Sequence, residues 1–76
     1  VILYDDAYKY MKEGDKLASQ RLYLSASIEY LQALSRLYEA EIRLVRAEHR
    51  HTGFYKKVQK RILKCEKIHD NYRQSH

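Results

Sequence analysis

Proline is absent from all 76 residues, and glycine occurs only at Gly14 and Gly53. A chain so poor in turn residues has few places to reverse, and nothing in it interrupts helical hydrogen bonding. The apolar residues repeat at steps of three and four, the spacing of one helix face. The first stripe is Leu3, Ala7, Tyr10, Gly14 and Leu17, with Met11 and Ala18 beside it. The second is Leu22, Ala26, Tyr30, Ala33, Leu37, Ala40 and Leu44, widened by Leu34, Tyr38 and Val45. The third is Val58, Ile62, Cys65, His69 and Tyr72, with Leu63 and Ile68 off its centre. Three stripes with short connections predict an all-α, antiparallel three-helix bundle. It is read as one domain over residues 1–76, with helices at about 5–18, 21–50 and 54–73.

The boundaries are unequal. Asp5 and Asp6 suit a helix start, where the dipole favours negative charge. Gly14 costs a helix interior about 1 kcal/mol against alanine, so its presence predicts a second backbone close by. Ser19-Gln20-Arg21 is a weak break in which Ser19 can cap the second helix; the rival is one unbroken helix from Asp5 to Arg50. That would be far longer than helices of small domains. Glu48 to Gly53 is the clearer break. Gly53 is expected in the left-handed position past a helix end, with His49, Arg50 and His51 at the negative pole of the dipole.

A 9.2 kDa chain supports one small core and no deep catalytic pocket. No apolar run reaches the ~18 residues of a membrane span. One cysteine rules out an internal disulfide and favours the cytoplasm. The start, VILYDDAY, has no signal-peptide pattern and reads as a domain cut from a longer protein. The net charge of +5 is concentrated at one end. Residues 1–54 are neutral, while residues 55–76 carry seven basic residues against Glu66 and Asp70. This asymmetry predicts an acidic partner for the last third of the chain.

Few residues offer chemistry. Arg46 and His51 form an R-x4-H pattern like that of HEPN ribonucleases, but Ala47 stands where a polar residue is usual. A cationic helix end explains the same residues. Cys65 and His69 share a face and offer two metal ligands without a second pair. Ser25, Ser27 and Ser35 have no evident histidine–acid partner. No catalytic residue, metal site or cofactor is therefore expected, and the chain is read as not an enzyme.

The stretch GDKLASQRLYLSASIEYLQAL has the frame of a tetratricopeptide helix hairpin, with Gly14 followed by Ala26, Tyr30 and Ala33. A lone hairpin cannot bury its own face and needs a cover, for which the third helix is the natural candidate. One such hairpin closed by a third helix resembles the MIT (microtubule-interacting and trafficking) domain. The resemblance runs from Ala7 to Tyr72. Ala7 is followed by Tyr23 and then by Ala26-Ser-Ile-Glu-Tyr30, and KRILKCEKIHDNY is similar to the family's closing helix. Arg21-Leu22 replaces the usual Gly or Asn before the aromatic, and the closing helix lacks the Leu-Asp-Arg-Ala pattern.

The resemblance implies a protein-binding module that takes short tails, often acidic with spaced leucines, in grooves beside the third helix. Its host would be recruited to ESCRT-type, membrane-trafficking or autophagy machinery, in the cytoplasm or at endosomes through partners, without membrane insertion. The expected partner is an acidic helical or extended peptide tail of an ESCRT-III-like protein or a trafficking or autophagy adaptor. The groove of the third helix with the second is the expected site. Arg61 and Lys64 would form its basic rim, Leu63 and Ile68 its floor, and Leu34 and Tyr38 its second wall. Solvated charge would account for the same basic face. The alternative function is basic helical nucleic-acid binding, with Lys56, Lys57, Lys60, Arg61, Lys64 and the tyrosines as contacts, although no helix-turn-helix, zinc-finger or RNP pattern is present.

Overall fold

In the computed structural model, which describes residues 2–75, the chain reverses twice and uses the same local geometry both times. Helix α1 spans Ile2–Ser19, α2 spans Tyr23–Arg46 and α3 spans Gly53–Gln74. After α1, Leu22 N–H donates to Leu17 O at 3.0 Å and Arg21 N–H to Ala18 O at 2.9 Å. After α2, His49 N–H donates to Leu44 O at 2.8 Å and Glu48 N–H to Val45 O at 3.1 Å. These paired bonds are the Schellman closure, which requires a left-handed residue just past the helix. Arg21 (φ 63°) and Glu48 (φ 60°) take that conformation. A side chain there costs on the order of 1 kcal/mol.

Gly53 does not hold the expected left-handed position; it opens α3, and Glu48 ends α2 instead. The second helix therefore stops at Arg46, four residues short of the expected boundary. Ser19 does not cap α2. It is the last residue of α1, and its hydroxyl donates back to Lys16 O at 2.5 Å. Leu22 occupies the N-cap of α2 without a side-chain bond and is half exposed, so it leaves the core stripe. The break at Gln20–Leu22 excludes one continuous helix. Thr52 caps α3 by accepting from Tyr55 N–H at 3.1 Å.

The helices form an all-α bundle in which α2 is central and packs against both α1 and α3. Gly14 of α1 lies on Ala26 and Tyr30 of α2, while Tyr10 lies near Arg36, so α1 and α2 run antiparallel. Tyr38 pairs with Glu66 and Tyr30 with Tyr72, so α3 is antiparallel to α2 as well. Ala26, Tyr30, Ala33, Leu37 and Ala40 of α2 are buried against Ala7 and Met11 of α1 and Val58, Ile62 and Cys65 of α3. Val45 and Tyr38, expected to widen this stripe, are exposed instead.

The α1–α2 crossing is close because its residues are small. A Cβ added at Gly14 would stand 2.7 Å from Tyr30 Cδ2 and 3.1 Å from Ala26 O. Tyr30 cannot swing clear: it is buried, and its hydroxyl donates to Asp15 at 2.7 Å. The glycine is thus explained by an approach of helices, as the sequence implies.

Candidate functional site

Helices α1 and α3 run in the same direction but approach each other far less closely than either approaches α2. Long side chains bridge the space between them. At one end Tyr4 packs edge-on against Phe54, with ring centroids 5.3 Å apart. Arg61 lays its guanidinium 3.7 Å from the Tyr4 ring centroid and donates to Tyr4 O at 3.2 Å. At the other end Asp15 accepts from both Tyr30 (2.7 Å) and Tyr72 (2.9 Å). Around the first of these anchors lies an open cleft of about 320 Å³, lined by Tyr4, Lys57, Lys60, Arg61 and Lys64. Tyr8, half exposed, continues the α1 wall; Arg61 lies 5.6 Å from its ring and Lys12 5.5 Å.

Spacing on α3 decides which residues face this cleft. Lys57, Arg61, Lys64 and Ile68 follow at steps of four, three and four and share one side of the helix. Gln59, Leu63, Glu66 and Asp70 follow at the same steps on a different side, and Glu66 meets Tyr38 of α2 at 2.5 Å there. The groove of α3 with α2 consists of two shallow depressions, about 380 and 370 Å³. Their α2 wall is apolar, with Leu24, Ile28 and Leu31, but the α3 wall brings Glu66 and Asp70 with His69 and Arg73.

The six residues expected to form one site therefore divide. Arg61, Lys64 and Ile68 lie toward α1, with Ile68 partly buried against the core. Tyr38 and Leu63 lie toward α2, at 37% and 68% exposure. Leu34 borders that second groove but is core, with only 4% of its surface accessible. The basic rim and the apolar wall are on different faces. Residue types alone do not show this; the four–three step count along α3 could have. The aromatic wall is a further feature of α1: Tyr4 continues the buried row of Ala7, Met11 and Gly14 at helical steps and is packed against the core, while Tyr8 lies one turn on at the exposed edge of that row.

Burial and acceptors shift four groups. Burial, reinforced by the bond to Asp15, pushes the Tyr72 hydroxyl up to about 12, and the same causes raise Tyr30 further. The bond to Glu66, then burial, raises Tyr38 to about 12. Burial raises the Cys65 thiol to about 11, against the lowering pull of Arg61 and Lys64. Such a thiol is a core residue and a poor nucleophile at neutral pH. Among the described residues no three His, Cys, Asp or Glu side chains gather as a metal site, and no helix is long and apolar enough to cross a membrane.

No family model matches the chain, and no curated protein or solved structure matches it.

Proposed function

We propose that the chain is a non-catalytic protein-interaction module that takes an acidic, leucine-bearing segment in the cleft between α1 and α3. The observation that carries this reading is the cleft itself: two helices held apart, four cations along one rim, and tyrosine faces opposite. An acidic segment laid there meets Lys57, Lys60, Arg61 and Lys64, while its apolar side chains reach Tyr4, Tyr8 and the accessible part of Ile68. The opposite groove fits such a segment less well, since Glu66 and Asp70 would repel it. The resemblance to the MIT domain supports the same class of activity. On that basis the host protein would be recruited to ESCRT-type, trafficking or autophagy machinery in the cytoplasm. Nucleic acid is the second reading, favoured by cations set beside the half-exposed ring of Tyr8.

Titration of the labelled chain with an acidic, leucine-bearing helical peptide tests the proposal. Chemical-shift changes should fall on Tyr4, Tyr8 and residues 57–68. Changing Arg61 and Lys64 together to Glu should slow association and flatten its salt dependence, because rim charges act mainly on encounter. Ile68→Asp should instead speed dissociation. Shifts confined to α2 would refute the cleft. Preferential binding of a single-stranded oligonucleotide at the same residues would promote the second reading.

A further inference from the structure

Helix α2 has a second apolar row that its own chain covers only in part, along the edge of the groove with α3. Leu24, Ile28, Leu31, Tyr38, Ile42 and Val45 follow at alternating steps of four and three, with Ser35 filling the single gap. All six are 37–59% exposed. The row lies two residues, about 160° around the helix, from Ala26, Ala33 and Ala40, but only three or four residues, about 40–60°, from buried Leu34. It therefore faces away from α1 and from the cleft between α1 and α3, and its first part runs along the edge of the groove with α3.

We propose that a second copy of this chain covers the row, with the two α2 helices packed antiparallel. The row is about 32 Å long, six helical turns, so a short peptide would cover only part of it. Its four–three spacing is that of a helix–helix seam. It also matches itself when reversed. Centred on Ser35, Ile28 stands against Ile42 and the one polar position against its own copy, while Leu24 comes within one residue of level with Val45 and Leu31 within one residue of level with Tyr38. On the flank away from α3, Ser25 then faces Arg46 and Gln32 faces Glu39, so no like charges meet on that side. Opposed helix dipoles favour this direction, whereas a parallel seam would set Tyr38 against Tyr38. The six side chains offer roughly 500 Å² of apolar surface per copy, within the roughly 300–600 Å² of a monomer's largest and often functional patch. With its polar flanks the face approaches the ~800 Å² per partner of a standard interface. Such a dimer leaves both peptide clefts open on its outer sides, and a partner with two acidic segments would bind by avidity.

Sedimentation equilibrium of the 76-residue chain, from micromolar concentration to about 1 mM, should show a reversible monomer–dimer equilibrium. Ile28→Glu and Leu31→Glu, both at exposed positions, should weaken it at least tenfold with unchanged helicity. A chain carrying Leu24→Cys and Val45→Cys should oxidise to a covalent dimer linked 24 to 45; Cys65 is buried and does not compete. A monomer throughout the range, or a dimer indifferent to Ile28→Glu, would overturn the proposal. Links of 24 to 24 and 45 to 45 would overturn the antiparallel seam. Peptide titration of the Ile28→Glu chain reads the cleft separately, so failure of the dimer and failure of the binding site give different results.

Discussion

The α1–α2 crossing and the α1–α3 seam join the same helix to two neighbours in opposite ways. At the crossing, Gly14 and Ala26 let the backbones approach until a single methyl group would not fit. At the seam the backbones stay apart, and Arg61, Tyr72, Tyr4 and Asp15 reach across. Close packing of small residues makes many dispersion contacts and admits no water. A seam of long side chains excludes less and leaves room for a ligand. Under the proposed function, the difference gives stability to one joint and recognition to the other.

The largest effects should therefore come from the crossing. Tyr30 is almost wholly buried, and Tyr30→Ala would empty the space beneath Gly14 and remove one donor to Asp15. The expected loss is about 3–5 kcal/mol in denaturant unfolding, as for other large aromatic truncations. Gly14→Ala should cost about 1–3 kcal/mol, despite alanine's better helix propensity, because the added methyl meets a pinned ring. A stabilised Gly14→Ala variant would mean that Tyr30 yields, and the crossing would lose its special status.

Much of this crossing can be read in the sequence. A glycine in mid-helix and alanines at helical steps have few uses other than close approach, so Gly14, Ala26 and Ala33 are legible. The three helices are legible for the same reason: without proline, only capping can stop them. The stops themselves are not. Arg21 and Glu48 hold left-handed positions where composition points to Gly53, because a Schellman closure tolerates strain of about 1 kcal/mol when the core fixes both helices. The site is half legible. Charge counting finds the basic third of the chain, but the wall opposite depends on which neighbour α3 turns each row toward. Leu34, Tyr38 and Leu63 look available on the α2 side, yet the cations face α1.

A smaller effect links the two joints through Asp15, which accepts from Tyr30 at the crossing and from Tyr72 at the seam. The tyrosine hydroxyls hold their protons more tightly in the folded chain than in the unfolded one, from an ordinary 10.0 up to about 12 for Tyr72 and Tyr38. Cys65 does likewise, from 9.0 to about 11. In this window the native state binds more protons than the unfolded state, so stability falls as pH rises. It should be intact below pH 9 and decline progressively toward about 12. Tyr72→Phe should remove part of the decline, as read from thermal unfolding across that range. An alkaline stability profile unaffected by the substitution would show that the shared carboxylate does not couple the joints.

The smallest effect sharpens the contrast most. Arg61 bridges the seam at its other end, stacked on Tyr4 and bonded to its carbonyl oxygen. The guanidinium remains partly exposed, and stacking of this kind contributes about 0.5–1 kcal/mol. Arg61→Ala should therefore lower unfolding stability by no more than about 1 kcal/mol, a small fraction of the loss in Tyr30→Ala. The same substitution removes a rim cation and opens the Tyr4 face, so it should alter peptide association well beyond its effect on folding. A loss as large as that of Tyr30→Ala would make Arg61 a structural tie, with the cleft merely the space around it. A small loss of stability with a clear loss of association rate separates the two roles, because a residue that holds the bundle together cannot be removed without loosening the crossing as well.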